Sequence, residues 1–270
     1  MPNEVKKRTQ RAIAEKVFPG CVIGSVRQNG TRTILPLGSL AYNDEPVRED
    51  TIYDLASVTK SIPVASLSLS FIAESKLKLD DKVKKFIPEL QNHFDATIED
   101  LLRYRVKGSQ MSSLKYKTFQ EIRTHIFEHG FDGAPGESVY TNLPAFLLGI
   151  ILERIGGEIL PALANRYFFE PLNMRDTTFF PHDIDRIAPT EILAPERLPN
   201  FAYAKNVDVR EIRGIVHDES ARMFAKKRRA VGHAGLFSTM PDLLNFLEAL
   251  LDENVGHRMS YIVKGAQMGL

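Results

Sequence analysis

The sequence predicts an α/β fold in which an antiparallel sheet is flanked by helices and a helical lobe is inserted. Three observations lead to this prediction. A β-hairpin pattern lies near the N-terminus, a long apolar helix follows it, and short helices separated by Pro and Gly residues fill the middle of the chain. Because a single hairpin cannot complete a sheet, we expect further strands in the same domain.

Length and composition fit one domain of this kind. The chain has 270 residues, of which 43% are hydrophobic and 26% are charged, as is ordinary for a globular protein. We predict a single domain over residues 1–270, with an α/β lobe at 1–75 and 215–270 and a helical lobe at 76–214. The sheet of the α/β lobe is expected to be incomplete, because few strand patterns follow residue 215.

The first elements follow from local patterns. Residues 3–17 have the charged and apolar spacing of an amphipathic helix, which Pro19-Gly20 ends. The hairpin pairs residues 21–28 with residues 31–42 around Asn29-Gly30, because Asn and Gly both tolerate the positive φ of a tight turn.

Helices are predicted from residue 57 onward. A strand-like run at 51–55 leads into an apolar helix at about 57–73, which we expect to be buried because it is apolar all round. A Pro-rich connector follows the helical lobe, and after it we expect turns and one more helix at 241–251. The helices of the lobe itself are predicted near residues 81–87, 97–104, 118–129, 142–155 and 160–169.

Charge and cysteine content limit the classes of partner and location. Lys and Arg total 35 against 34 Asp and Glu, a net charge of +1, so no global field favours nucleic acid. The basic run at 226–229 has no aromatic platform and is interpreted as a solvated loop.

Cys21 is the only cysteine, which excludes an intramolecular disulfide. Residues 1–16 lack the apolar core of a signal peptide, and no apolar run reaches the roughly 18 residues of a membrane span, so we expect a cytoplasmic protein.

The pattern Ser-x-x-Lys occurs three times, at Ser57–Lys60, Ser75–Lys78 and Ser112–Lys115. The second and third lie in polar stretches and are interpreted as structural. Ser57 instead lies where a strand-like run meets a buried helix, so its N–H and the helix dipole point at whatever its hydroxyl attacks. Lys60 follows one turn later on the same face, where burial favours the neutral amine that can act as a base.

A second polar segment, Tyr140-Thr141-Asn142, follows Pro135-Gly136 and opens a predicted helix. A Tyr hydroxyl flanked by cations can lose its proton below its usual pKa of about 10 and share the task of a base with a lysine. The Asn142 amide offers both a donor and an acceptor to a substrate amide. By itself this pattern is weak, because Tyr and Asn before a helix usually cap and pack.

Several segments occur in the order typical of one family. They are residues 55–60 (LASVTK), 74–88 (ESKLKLDDKVKKFIP), 135–142 (PGESVYTN), 147–159, 171–177 and 235–246. Together they resemble the serine β-lactamase-related hydrolases, which include class C β-lactamases, D-alanyl-D-alanine carboxypeptidases and related esterases. The resemblance covers nearly the whole chain and implies a β-lactamase/transpeptidase-like fold.

The resemblance also implies a role for each matched residue. Ser57 would be the acylated nucleophile, Lys60 its proton acceptor and Tyr140 a partner base, while Asn142 would contact the substrate amide. The implied activity is that of a serine hydrolase that forms a Ser57 acyl-enzyme on an ester, an amide or a β-lactam. Its substrate would be a small molecule or a peptide, and we expect neither a metal nor another cofactor.

The third motif of that family has no counterpart in this sequence. The motif reads Lys or His, then Thr or Ser, then Gly, on the strand beside the nucleophile. The triplet His233-Ala234-Gly235 lacks the central hydroxyl and runs into a segment that matches an upstream part of the family, so we do not interpret it as this motif. We expect a truncated or divergent member with an open sheet edge beside Ser57, one of two oxyanion donors and poor acylation.

Other classes of function are also considered. A protein that keeps the fold and binds peptides or partner proteins without turnover is the main alternative, and a covalent Ser57 adduct distinguishes an enzyme from it. A zinc site at His125 and His129, spaced i and i+4, is disfavoured because no glutamate follows His125 directly and no third ligand is indicated. The run at 217–219, His-Asp-Glu, is interpreted as a polar turn rather than a metal site.

Overall fold

Two strands of seven residues flank Asn29-Gly30 and form the predicted hairpin, in which β1 (Gly20–Val26) pairs antiparallel with β2 (Arg32–Gly38). Strand β1 begins one residue earlier and ends two residues earlier than the sequence predicts, and β2 lies within its predicted range. Gly30 adopts a φ of 78°, which residues with a side chain rarely adopt. The computed structural model of the protein describes residues 3–114, 118–192 and 211–251.

Shorter strand pairs accompany the hairpin. Strand β3 (Tyr53–Asp54) pairs antiparallel with β6 (Phe237–Ser238), and β4 (Glu191–Ile192) pairs antiparallel with β5 (Glu211–Ile212). Over the described ranges, the antiparallel pairing is thus divided among three two-stranded sheets. The pairing of β3 with β6 matters most for the candidate site, because it brings a late part of the chain to the turn that follows β3.

The helices confirm most of the predicted ones. In chain order they are α1 (Asn3–Ala14), α2 (Ser66–Ala73), α3 (Val83–Phe86), α4 (Ile98–Leu102), α5 (Phe119–His129), α6 (Leu143–Gly156), α7 (Leu160–Ala164), α8 (Glu219–Ala225) and α9 (Met240–Leu251). Lys115 and the part of the Pro-rich connector at 193–210 lie outside the described residues.

Helix α8 is a correction, because turns are predicted at its position. Asp218 accepts a hydrogen bond from Ala221 N at 2.9 Å and so caps the helix. The run that follows is rich in residues with high helix propensity. Asp218 and Glu219 therefore belong to a helix start rather than to an isolated polar turn. The basic run at 226–229 follows α8 and is exposed, as predicted.

The predicted apolar helix at 57–73 consists of three consecutive helical segments. A 3-10 turn at Ala56–Lys60 is followed by a π turn at Ser61–Ala65 and then by α2. The break lies at Ile62, whose φ of −117° and ψ of 108° are not helical, because a proline disfavours helical backbone in the residue before it. Residues 56–58 are exposed, and from residue 59 onward the segment is mostly buried.

The same segment is the candidate membrane span of the described residues. By length and composition alone, Ala56–Ala73 is long and apolar enough to cross a membrane, although 61% of it is buried inside the structure. The sequence predicts no apolar run of this length, because polar residues interrupt the apolar segment. In the structure, helical turns continue through these polar residues, so the whole segment reaches the required length. A buried core helix meets the same criteria, and α2 packs against α6. The cytoplasmic location stays a prediction.

Helices α2 and α6 lie at the centre of the hydrophobic core. Leu67 and Phe71 of α2 and Leu147 and Ile151 of α6 are fully buried within one cluster. Helix α9 packs against the hairpin, and α1 packs against β2. This arrangement holds the 3-10 turn at the edge of the core, with its start exposed. The division of the domain into an α/β lobe and a helical lobe stays a prediction.

Candidate active site

The turn between β3 and α2 carries Ser57 at the surface. Ala56 adopts a φ of 46°, in the left-handed region that is uncommon for a residue with a side chain. Ser57 is exposed, and its amide lies in the first turn of a helical segment, where N–H groups have no intrahelical acceptor. The turn therefore presents a hydroxyl and an N–H together, which are the groups that a nucleophile and an oxyanion donor require.

Lys60 lies beneath Ser57 and is only 6% exposed. Its Nζ donates to Ser57 Oγ at 2.8 Å and to the backbone carbonyl of His233 at 2.7 Å. Burial lowers the pKa of Lys60, while Tyr140 and Asp218 oppose this shift without reversing it. More of Lys60 is therefore neutral near pH 7 than of an exposed lysine, and a neutral amine beside a hydroxyl can accept its proton.

Tyr140 lies beside Lys60 and is 67% exposed. Its ring centroid is 5.2 Å from Lys60 Nζ, and its ring stacks on that of Tyr104 with centroids 5.7 Å apart and an interplanar angle of 15°. The structure thus brings Ser57, Lys60 and Tyr140 together. Their catalytic roles stay predictions from the sequence.

Asn142 lies at the N-terminus of α6, yet its side chain does not cap that helix. Its Nδ2 instead donates to Asp218 Oδ2 at 3.3 Å. The second N–H and the oxygen of the amide remain for another partner, since an Asn side chain has two donor hydrogens and one acceptor oxygen. Asn142 is therefore joined to the site through Asp218, and its contact with a substrate amide stays a prediction.

His233 reaches the site from the segment that follows α8. Its side chain is 0% exposed, and its Nε2 is 2.9 Å from Ser220 Oγ and 3.3 Å from Asp218 Oδ1. Its backbone carbonyl, rather than its ring, contacts Lys60. A fully buried ring does not face the solvent beside Ser57, which agrees with the interpretation that residues 233–235 are not the third motif.

Asp218 supplies the negative charge of the site. Burial raises its pKa, but the hydrogen bond and charge of His233, together with hydrogen bonds from Ala221 N and Ser220 Oγ, outweigh this effect. The net result is a pKa below the usual range of a carboxyl group, so Asp218 is ionised at neutral pH. Its charge acts on Lys60, whose pKa it raises.

Asp54 ties the Ser57 turn to the segment that carries Asp218. Its carboxylate accepts hydrogen bonds from Ala56 N at 2.7 Å and from His217 N at 2.8 Å. Burial raises the pKa of Asp54 against these two bonds, which lower it. The positive φ of Ala56 is thus held in place by a half-buried carboxyl group that also contacts the residue before the N-cap of α8.

The contacts of Asp54, Asp218 and His233 do not follow from the sequence. The contacts that join these residues to the site have partners that are distant in the chain, as for Asn142 and Asp218, which are 76 positions apart. Two features could have pointed to them. Asp218 precedes a run of helix formers, as an N-cap does, and His233 is a polar residue within an apolar segment, where a buried His needs a partner.

The alternative metal-binding residues have protein partners. His125 Nε2 lies 2.9 Å from Ser109 Oγ, and His129 Nε2 lies 2.9 Å from Asp132 Oδ1. Across residues 3–114, 118–192 and 211–251, no group of three or more His, Cys, Asp or Glu side chains is arranged to hold a metal ion.

The sequence as a whole matches a family model described as Beta-lactamase, over residues 5–264. The chain therefore belongs to the Beta-lactamase family, as the resemblance implies. It is 28% identical to a putative D-alanyl-D-alanine carboxypeptidase of Escherichia coli K12, in a match that covers 77% of this chain and 53% of that protein. The chain thus spans about half the length of this curated relative.

Solved structures confirm the fold. EstCE1, described as a hydrolase with promiscuous acyltransferase activity, matches with a TM-score of 0.73 and 21% identity over 96% of this chain and 75% of its own. A class C β-lactamase from Rhodobacter sphaeroides matches with a TM-score of 0.73 and 19% identity over 98% of this chain and 70% of its own. The fold is therefore of the β-lactamase/transpeptidase-like class.

Proposed function

We propose that the protein is a serine hydrolase that acts through an acyl-enzyme at Ser57 on an ester, an amide or a β-lactam. The observation that carries this proposal is the 2.8 Å hydrogen bond between Lys60 Nζ and Ser57 Oγ, at a place where burial lowers the pKa of the lysine. Membership of the Beta-lactamase family supports it, since the relatives are described as a carboxypeptidase, a hydrolase and a β-lactamase.

In the proposed first step, neutral Lys60 accepts the Ser57 proton while Oγ bonds to the carbonyl carbon of the substrate. Negative charge moves to the carbonyl oxygen, where the Ser57 N–H can stabilise it. The bond to the leaving group then breaks, and the leaving group takes the proton of the Lys60 ammonium, directly or through the Tyr140 hydroxyl, so that Lys60 is neutral again. Water then attacks the acyl carbon while Lys60 accepts its proton, and Lys60 returns this proton to Ser57 Oγ as the bond between the acyl carbon and Oγ breaks.

The expected substrate is a small acyl compound or a short peptide. The Tyr140 ring stands exposed beside Lys60, and the Asn142 amide lies near it on the same segment with one N–H and its oxygen available. An amide-bearing acyl group could hydrogen-bond there while its carbonyl carbon meets Ser57 Oγ. We therefore favour an esterase or carboxypeptidase-like activity.

A second candidate is a non-catalytic protein that keeps the fold and binds peptides or partner proteins. Its support is the absence from the sequence of the Lys/His-Thr/Ser-Gly motif that the family has on the strand beside the nucleophile. In the family that strand supplies the second oxyanion donor, and the loss of one of two donors typically costs about 10²–10³ in rate.

Labelling with a fluorophosphonate probe, followed by peptide mass spectrometry, separates the two candidates. A serine hydrolase should carry the adduct on the peptide that contains Ser57, and Ser57→Ala should abolish it. Ser75→Ala is the matched control, because Ser75 also belongs to a Ser-x-x-Lys pattern but lies exposed after α2. A folded wild-type chain without an adduct, or undiminished labelling of Ser57→Ala, would contradict the proposal and favour the binding protein.

A further inference from the structure

Asp218 and His233 lie behind the reacting residues and have no part in the steps above. Asp218 Oδ1 accepts hydrogen bonds from Ala221 N at 2.9 Å and from Ser220 Oγ at 2.7 Å. Its second oxygen, Oδ2, accepts from Asn142 Nδ2 at 3.3 Å. One carboxylate therefore contacts the start of α8 and, through Asn142, the start of α6.

The hydrogen bonds of Ser220 indicate that Nε2 of the His233 ring carries a proton. Ser220 Oγ has a single hydrogen, which it donates to Asp218 Oδ1, because an ionised carboxylate can only accept. The 2.9 Å contact between Ser220 Oγ and His233 Nε2 must then be donated by Nε2–H. The ring is thus held at Nε2 by the N-terminus of α8, and this holds the His233 backbone as well.

The backbone carbonyl of His233 is the second acceptor of Lys60. It lies 2.7 Å from Lys60 Nζ, and Ser57 Oγ lies 2.8 Å from the same nitrogen. Two acceptors at these distances fix the position of Nζ, which lies at the end of a side chain with four rotatable bonds. If the carbonyl moved, Nζ would lose its alignment with Ser57 Oγ.

We infer that Asp218 and His233 are positioning residues of the candidate active site. Asp218 fixes the Asn142 amide directly and holds the His233 ring, and the His233 carbonyl in turn aligns Lys60 Nζ with Ser57 Oγ. This inference rests on the proposed function, because it assigns roles around the Ser57 and Lys60 pair. It goes further by naming two residues that have no counterpart among the predicted site residues.

A purely structural explanation accounts for only part of these contacts. An N-cap needs one oxygen that accepts from a backbone N–H of the first turn, which Asp218 Oδ1 does. The contacts of Oδ2 with Asn142 and of His233 with Lys60 add nothing to that cap. They share a different feature, which is that each ends on a residue of the predicted site.

The charge of Asp218 gives the inference a measurable consequence. Within the described part of the chain, the titratable groups whose charges act on Lys60 are Tyr140, from the segment before α6, and Asp218, from the start of α8. A negative charge near an ammonium favours its protonated form. Removal of the Asp218 charge should therefore let Lys60 lose its proton at lower pH, whereas a loss of packing alone predicts no such direction.

Three substitutions separate positioning from folding. Asp218→Ser keeps a good N-cap residue for α8 but removes the charge and the reach to Asn142. His233→Gln keeps an N–H donor near the place of Nε2, and His233→Phe fills a similar volume without any donor. Circular dichroism and thermal melting of each variant establish that it is folded before its activity is compared.

The measurements are kcat/KM for a p-nitrophenyl ester as a function of pH and the titration of Lys60 by ¹³C NMR, assigned with Lys60→Arg. For Asp218→Ser we expect both the acidic limb of the profile and the Lys60 titration to move to lower pH, with a reduced plateau. For His233→Phe we expect kcat/KM to fall about 10- to 100-fold, as for a misaligned catalytic group, and His233→Gln should recover most of it.

Two results would overturn the inference. The first is a folded Asp218→Ser variant with an unchanged Lys60 titration, and the second is an equal loss in the Gln and Phe variants of His233. The NMR titration needs no turnover, so it distinguishes this failure from that of the proposed function. If the wild-type chain forms no Ser57 adduct, the proposed function fails, and a lowered Lys60 titration in Asp218→Ser still supports the coupling.

Discussion

Lys60 Nζ lies 2.8 Å from Ser57 Oγ although the two residues belong to a 3-10 turn rather than to an α-helix. In a 3-10 turn the side chains at i and i+3 eclipse each other, whereas in an α-helix they are offset around the axis. The Ser-x-x-Lys spacing therefore places the amine directly beneath the hydroxyl. The turn is exposed at Ser57 and buried at Lys60, which exposes the nucleophile and desolvates its base.

The first prediction concerns the pH dependence of acylation. Only the neutral amine of Lys60 can accept the Ser57 proton, so the rate should rise with pH as Lys60 deprotonates. Because burial lowers its pKa, the midpoint should lie below the usual lysine value of about 10.4.

The measurement is the pseudo-first-order rate of fluorophosphonate labelling across pH, corrected for spontaneous probe hydrolysis. Lys60→Arg, which stays charged, should lose about 10²-fold or more at every pH. A flat profile in the wild-type chain would contradict the assignment of Lys60 as the base.

The second prediction concerns the Tyr140 hydroxyl. Tyr140→Phe keeps the ring beside Lys60 and its stacking on Tyr104 but removes the group that we propose as partner base. We expect kcat/KM for an ester to fall about 10²-fold or more, in the range typical of general base catalysis. Tyr104→Phe is the matched control, because it removes a hydroxyl from the other ring of the same stacked pair. Equal effects of the two substitutions would contradict a specific role for the Tyr140 hydroxyl.

The hairpin and most of the helices could be predicted because each is specified within its own segment. Asn29-Gly30 fixes the turn between β1 and β2, and the apolar spacing at 142–155 and 241–251 marks two helices that the structure confirms within one residue or so. The predicted site residues Ser57 and Lys60 meet for the same reason, since three positions in one helical turn suffice. Tyr140 joins them across the fold, and there the family resemblance supplied what local patterns could not.

The supporting carboxylates could not be predicted in this way. Asp54 and Asp218 act on backbone N–H groups and side chains that the fold brings together from distant segments. The stretch around His217 looks like a polar turn because its helix, α8, is short and begins with acidic residues. Only the packing of α8 beside α6 and the Ser57 turn gives these residues their partners.

The third prediction concerns the core that holds the Ser57 turn. Leu67 of α2 is 0% exposed, whereas Leu247 of α9 is 43% exposed. Leu67→Ala should lower the free energy of unfolding by about 2–5 kcal/mol, because it removes buried methyl groups and leaves a cavity. Leu247→Ala, the same chemical change at an exposed helix position, should cost about 0.5 kcal/mol or less. Urea denaturation followed by circular dichroism compares them, and equal losses would show that α2 is not the core helix described above.

The last prediction concerns Gly232, which precedes His233. A Cβ at this position would lie 2.1 Å from the carbonyl oxygen of Ala145, far inside contact distance. The absence of a side chain therefore lets the segment approach α6 and carry the His233 carbonyl to Lys60. Gly232→Ala must displace the backbone at residue 232 or that of α6, because the atom that the new Cβ would meet belongs to the α6 backbone and not to a flexible side chain.

We expect Gly232→Ala to lower the free energy of unfolding by about 1–3 kcal/mol, as overpacked sites do. We also expect it to reduce Ser57 labelling beyond what the remaining folded fraction explains, because the displaced segment carries the acceptor of Lys60. The control is Gly133→Ala, where a Cβ would meet no atom within 4 Å. Thermal melting and labelling rates on the same preparations test both effects. If Gly232→Ala is folded and labels at the wild-type rate, the close approach of this segment to α6 does not determine the position of Lys60.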